Sequence, residues 1–423
     1  MGRILRRAFW LSLFVGLIAP VAHGQAGVVP TMGKEFWIGF MKGFQGGAAN
    51  SLDVFISSPV NTSGVLTMPL TGTTIPFSVI ANVTTTVTLP NVVAAMHFGS
   101  EVVDNKSILI QTQDTVAVFA INFEQYTADA AVIYPVQSLG TDYRVFCYYG
   151  YGGIADLVSE FLIVATKDGT EVEITATANT AGGHLAGVPW IVQLDSGETY
   201  QVQAQSDATD LQGSLVRGTA ASGSCRPFAV FGGSVCTKVP NSCTACDHVY
   251  DQNLPTSAWG TKYYTVPFSQ MSGYTYRIMA RDNGTQVTIN GGAPIAFSAG
   301  QWTEYNFQAT ANCIESNLPI SVAQYMEGVT CNTLNPNLGD PALLILNAEE
   351  QQIDRITFGT VVSTVITSHF LNIVTETANT ASVYLDGAQI PLGTFSAYPA
   401  CPTMSYGSVT LTPGVTHWNV SVA

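Results

Sequence analysis

The sequence predicts an all-β protein built of tandem β-sandwich-like units of about 100–115 residues, stapled by disulfides. Three observations predict it. Apolar and polar residues alternate along short segments separated by Gly- and Asn-rich turns, the pattern of half-buried strands. A segment near the middle of the chain returns without a gap 115 residues later. Eight cysteines follow an N-terminal stretch that reads as an export signal. No segment longer than a few residues carries the helical period. A β-propeller is the alternative, with the same strands regrouped as four-stranded blades, two blades per repeat.

The elements follow in order along the chain. Arg3, Arg6 and Arg7 precede an apolar stretch at 8–21, and Ala22-His23-Gly24 places small residues where a signal peptidase reads, so 1–24 is expected to be a cleaved signal peptide. No later stretch supplies about 18 apolar residues in a row, which argues against membrane insertion. The first unit is expected at 25–138 and opens on Gly33-Lys34-Glu35-Phe36-Trp37. The second, 139–256, opens on Gly140-Thr141-Asp142-Tyr143-Arg144 and contains a Cys-rich loop at 236–248. The third, 257–357, opens on Gly260-Thr261-Lys262-Tyr263-Tyr264. The fourth, 358–423, stops before a Pro-led closing strand like those at Pro227 and Pro319, and is expected to be truncated.

Within the repeat, Phe161 to Ile174 aligns on Tyr276 to Ile289, and Asp168-Gly169 matches Asn283-Gly284. A looser copy carries Asp386-Gly387. These dipeptides are expected to close hairpins, because Gly tolerates the positive φ of a tight primed turn.

The formal charge is −14; without the three N-terminal arginines, 12 basic residues face 29 acidic ones. Lacking a basic cluster, such a surface excludes nucleic acid and anionic membranes as partners. It fits a soluble extracellular protein, for which an extracellular protein or glycan ligand is expected on the grounds of the repeats, the cysteines and the resemblance given below. All eight cysteines (Cys147, Cys225, Cys236, Cys243, Cys246, Cys313, Cys331, Cys401) lie past the signal, and in an oxidising compartment they are expected to be paired. Cys243-Thr244-Ala245-Cys246 has the spacing of a zinc knuckle or a redox dithiol. Zinc would need two further ligands and only His248 is near, so the pair reads as a disulfide corner and no cofactor is expected. Two of Cys236, Cys243 and Cys246 are close enough in sequence to pair with each other.

His248 beside Asp247 is the obvious catalytic candidate. Adjacent residues on a strand point to opposite faces, so Asp247 is badly placed to orient His248. No G-x-S-x-G elbow is present, and His97, His184, His369 and His417 are scattered without metal-ligand spacing. His248 is therefore expected to be structural, bonded to backbone. Asp156, Asp168, Asp282 and Asp340 are isolated and form no calcium loop, although a site assembled from distant loops is invisible in sequence. Trp190, Trp259, Trp302 and Trp418 are candidate sugar platforms that read better as core.

The ordered motif extends further. Cys243 to His248 is followed by Gln252-Asn253-Leu254-Pro255 and Trp259-Gly260-Thr261. Gly33-Lys34-Glu35-Phe36-Trp37 precedes it and Gly339-Asp340-Pro341-Ala342 comes after. In this order the residues resemble the N-terminal domain of IgGFc-binding proteins, from about Gly33 to the end. The positions that carry the motif are Asp247, His248, Leu254, Pro255, Trp259, Gly260, Asp340 and Pro341. The resemblance implies a secreted, non-enzymatic adhesion or recognition module, of the kind found in animal mucus proteins and bacterial surface proteins. Fc binding names the family, but the matching motif does not define residues that touch Fc. The alternatives are a secreted hydrolase with a loop-built site near His248, or a structural spacer of a longer surface protein.

Overall fold

Strand alternation is realised as a series of antiparallel sheets whose apolar faces close on one another. The computed structural model describes residues 29–44, 51–124, 127–221, 226–360, 366–415 and 417–422. The expected signal peptide and Cys225 lie outside them. Among the described residues no helix is long and apolar enough to cross a membrane.

The first sandwich is organised by one long strand, Ser107–Glu124. Its first half pairs with Met32–Gly39 and Thr62–Met68, its second with Ser51–Ser57 and Thr127–Ile133. Where it passes from one set of partners to the other, the register against Met32–Gly39 slips, from Gly33↔Val116 to Glu35↔Gln111. A slip of this kind bends a strand, so one strand serves two facing layers. Phe36, Ile38, Leu66 and Ile110 of one layer then meet Leu52, Val54, Val118 and Ile133 of the other in a single core. The third sandwich repeats the device: Asn312–Met326 pairs first with Gly260–Thr265 and Thr285–Ile289, then with Tyr274–Ala280 and Ala342–Ile345, with the slip between Gly260↔Ile320 and Lys262↔Glu315.

The second sandwich has two separate sheets. One runs Asp247–Gln252, Phe228–Thr237, Ser159–Ala165, Thr199–Gln203, Val103–Asp104; the other Trp190–Leu194, Thr170–Thr175, Leu215–Gly218, Asp142–Arg144. Phe161, Ile163 and Val230 pack across on Val172, Ile174 and Val216. The fourth sets Arg355–Gly359, His417–Val422, Val383–Leu385 and Ala388–Gln389 against His369–Glu376, Met404–Leu411 and Phe395–Ala397. This face-to-face pairing, with spine strands shared by two layers, is that of sandwiches.

The repeated segments make the same hydrogen bonds. The Tyr143 hydroxyl accepts the Gly140 N–H at 2.8 Å and donates to the Phe228 carbonyl at 2.7 Å. The Tyr263 hydroxyl accepts the Gly260 N–H at 3.1 Å and donates to the Ile320 carbonyl at 2.8 Å. Asp168 Oδ1 caps the Ser196 N–H as Asn283 Oδ1 caps the Ala299 N–H.

The turns at Asp168-Gly169 and Asn283-Gly284 correct the sequence expectation, because neither closes a hairpin. Ser159–Ala165 and Thr170–Thr175 lie in different sheets, and Tyr274–Ala280 and Thr285–Ile289 pair with opposite halves of their spine strand. Both flanking strands carry a core face, and a crossing between layers lets those faces meet, whereas a hairpin would set them side by side. Asp386-Gly387 does close a two-residue hairpin, Leu385↔Ala388, with φ of 48° and 76° as a primed turn requires.

Among the described residues three disulfides tie the layers. Cys236–Cys246 folds the Cys-rich loop onto its own strand, Cys243–Cys331 ties that loop to the third sandwich, and Cys313–Cys401 ties the third to the fourth. The expectation of universal pairing fails at Cys147, a free thiol buried in the second core with its Sγ 3.3 Å from the Glu160 carbonyl.

Tyr263→Phe should destabilise the protein by about 1–2 kcal/mol in urea unfolding, because it strands a buried N–H and a buried carbonyl. Replacing Cys243 and Cys331 together by Ser should cost about 2–4 kcal/mol by the same measurement, since the bridge closes a loop with a sequence separation of 88.

Candidate functional site at a three-way strand junction

The motif residues converge where the first three sandwiches meet. Strand Asp247–Gln252 leaves the Cys-rich loop and pairs along one edge with Phe228–Thr237. All six of its residues are buried. Alternation sends its side chains two ways. Tyr250 enters the first core, stacking with its ring centroid 5.4 Å from that of Phe231 and donating its hydroxyl to the Gly39 carbonyl at 2.9 Å. Val249, on the other face, packs with Tyr325 and Leu343 of the third sandwich.

The strand's second edge meets Thr127–Ile133 and Ala342–Ile345 without ladder pairing, and side chains take the place of the ladder. Asp129 Oδ2 accepts the N–H groups of Tyr250 at 2.9 Å and Leu343 at 3.0 Å, while its Oδ1 accepts that of Ala130 at 2.9 Å. Asp251 Oδ2 accepts the Ile345 N–H at 2.8 Å and its Oδ1 that of Gln252 at 2.8 Å. Gln252 Oε1 accepts the Tyr134 N–H at 2.8 Å. The Thr127 hydroxyl accepts the His248 N–H at 2.7 Å and lies beside Asp247. Unpaired buried strand edges are costly, and these side chains remove that cost.

The remaining motif residues also support the junction. His248 holds the Ser234 carbonyl at 2.8 Å through Nδ1, and burial lowers its pKa to about 4, so the ring is neutral. Asp247 lies on the opposite face, against Asp340; burial first, then the Asp340 charge, raise the Asp247 pKa well above normal. Trp259 donates Nε1 to the Leu254 carbonyl at 3.3 Å, and both pack in the cluster between the second and third sandwiches. Pro255 leads the turn Thr256–Ala258 and packs against Gly140. A Cβ at Gly260 would come within 2.4 Å of Ala348 Cβ, so only glycine fits. Pro341 flanks Gly328, beside the Cys243–Cys331 bridge.

Both sulfurs of the C-x-x-C go to different bridges, so neither remains a thiol for zinc or redox exchange. Cys313, Glu315 and Cys401 also cluster, but those sulfurs too form a disulfide. The tryptophans proposed as sugar platforms are engaged: Trp190 stacks on His184 at 4.0 Å, Trp302 on the Arg277 guanidinium at 4.5 Å, and Trp259 and Trp418 are buried.

Sequence reasoning passed over Asp129, Asp251 and Arg277. Arg277 is fully buried between the second and third sandwiches, 4.0 Å from the Tyr148 ring and bonded to Asp210 at 2.7 Å and Glu304 at 2.8 Å. Asp129 and Arg277 each sit in an otherwise apolar stretch, Thr127-Ala128-Asp129-Ala130 or Tyr276-Arg277-Ile278, and a lone charge in such a setting is the signal that marks them; Asp251 lies in the polar strand Asp247–Gln252 and carries no such signal. Between the third and fourth sandwiches opens a cleft of about 520 Å³, with Ile356, Ile373 and Val383 in its walls and Glu349, Asp354 and Glu376 among its polar residues.

Glu160, buried in the second sandwich and bonded to Gln203 at 2.8 Å, is pushed up to about 8 by burial. The unfolded chain releases this proton near pH 4.5, so the stability it contributes is full below that pH and lost as pH rises through about 8. Glu160→Gln should flatten the fall in urea midpoint between those limits, as a pH series of unfolding curves would show.

The family model described as IgGFc binding protein matches residues 129–422, which is more than half of the chain. The opening strand at Gly33, part of the sequence resemblance, lies outside that match. Human IgGFc-binding protein is 29% identical over 257 residues, covering 60% of this chain and 4% of the human protein. With the junction motif and this match together, the chain belongs to the IgGFc-binding protein family.

Proposed function

We propose that this chain is a secreted, non-enzymatic recognition module that binds an extracellular protein or glycan, such as a mucin or another glycoprotein. One observation carries the reading: Asp129, Asp251, Gln252 and His248 at the junction turn their polar groups to the backbone of neighbouring strands, which makes a support rather than a reaction centre. His248, on which a hydrolase would depend, is 1% exposed and neutral, with Nδ1 at the Ser234 carbonyl. A general base must reach the proton that it takes. Three disulfides suit an extracellular setting. The human relative's name makes immunoglobulin Fc one ligand to test.

The cleft between the third and fourth sandwiches is the seat of the ligand in this reading, because concave sites with apolar walls and a few polar groups are where ligands are held. The purified chain should be retained on an array of glycans, mucins and immunoglobulin Fc, and Asp354→Arg with Glu376→Arg should weaken retention at least tenfold. Absence of retention on every arm, together with turnover of a polysaccharide or peptide substrate, would establish the hydrolase instead.

A further inference from the structure

The four carboxylates at the junction are not equivalent. Asp129 and Asp251 each use both oxygens to accept backbone N–H groups. Asp247 and Asp340 have each other. Asp247 is 3% exposed, and its Oδ1 makes no hydrogen bond. The groups that act on its carboxyl are Asp340, the Thr127 hydroxyl, the Asp129 charge and the His248 backbone. Asp340 is half-buried, and its carboxyl lies against that of Asp247. Among the described residues no lysine or arginine forms an ion pair with any of the four. A buried carboxylate with an unsatisfied oxygen, facing a second carboxylate and no cationic side chain, is costly unless a proton or a metal ion joins the pair.

We infer that Asp247 and Asp340 bind one hard divalent cation, calcium, which fastens the Cys-rich loop of the second sandwich to the third. The donor chemistry selects the class of ion. Oxygen atoms line the pair, with the Thr127 hydroxyl beside them. The sulfurs of the adjoining loop are consumed in Cys236–Cys246 and Cys243–Cys331, and the His248 ring lies on the other face of the strand. Zinc favours the nitrogen and sulfur ligands missing here, whereas calcium takes oxygen ligands in a flexible shell. The two loops are already close: Gly328 N–H bonds the Val239 carbonyl at 2.8 Å, and the Cys243–Cys331 bridge spans them. Backbone carbonyls and water would complete the shell. A site with two carboxylates matches the weak calcium affinity of extracellular modules, Kd about 10⁻⁴–10⁻³ M. The inference is independent of which ligand the module recognises.

Equilibrium dialysis of the intact chain after EDTA treatment should show one calcium bound, and the thermal midpoint should rise and saturate over the same concentrations. Asp340→Asn should abolish both effects while leaving the calcium-free midpoint at or above that of the parent, because it removes one of two facing charges. Asp247→Asn should likewise abolish calcium binding. Failure of the parent chain to take up calcium would overturn the inference and leave a shared proton as the pair's solution. Undiminished calcium uptake by a folded Asp340→Asn or Asp247→Asn chain would overturn it too, by placing the ion elsewhere.

Discussion

The arrangement of this protein depends on how three strand edges are satisfied where they cannot pair. Asp247–Gln252 has a ladder on one side only; on the other it meets strands from the first and third sandwiches without ladder pairing. Asp129 and Asp251 resolve this by accepting backbone N–H groups from their neighbours. A carboxylate suits the role because it is acceptor-only and has room for several donors. The cost is burial of charge, visible in the rise of the Asp129 pKa to about 7 by desolvation against its three N–H bonds. Apolar packing of Val249, Trp259, Tyr325 and Leu343 surrounds these bonds and excludes the water that would compete for them.

The same economy appears at each opening strand. Tyr143 and Tyr263 reach from the strand into the core and fix the backbone three residues upstream, joining it to the closing strand of the same sandwich. The first sandwich has Phe36 at this place, fully buried but without a hydroxyl. Its opening strand is instead held by the long spine Ser107–Glu124 and by Gln137 and Ser138, which bond the Met32 and Pro30 carbonyls. Covalent ties add to the polar and apolar contacts between neighbours: one bridge joins the second and third sandwiches, one the third and fourth.

Membership in the IgGFc-binding family gives the junction a broader meaning. Residues that in sequence look like a catalytic pair, a metal knuckle and an aromatic platform at Trp259 are parts of one support. His248 fixes the strand beneath it through its ring and its N–H, Asp247 looks the other way, and the two cysteines of the C-x-x-C tie the loop in two directions.

Local chemistry was sufficient for much of this. Alternation along Glu171 to Ile174 or Gln286 to Ile289 requires strands with one buried face, because the side-chain period of an extended chain is two. The same period alone puts Asp247 and His248 on opposite faces, and the even spread of acids without a basic cluster needs no coordinates. What local chemistry could not decide is which strand lies beside which. Asp168-Gly169 has the residues of a hairpin but serves as a crossing between layers, because the apolar faces it connects are both needed across one core. Cys147 is left unpaired in the middle of such a core. Asp129, Asp251 and Asp340 meet the motif strand from more than 90 residues away, or within it, only once three sandwiches dock. Strand type is set by neighbours in sequence, whereas the partner of a buried charge is set by packing between distant segments, and only the tertiary structure brings those together.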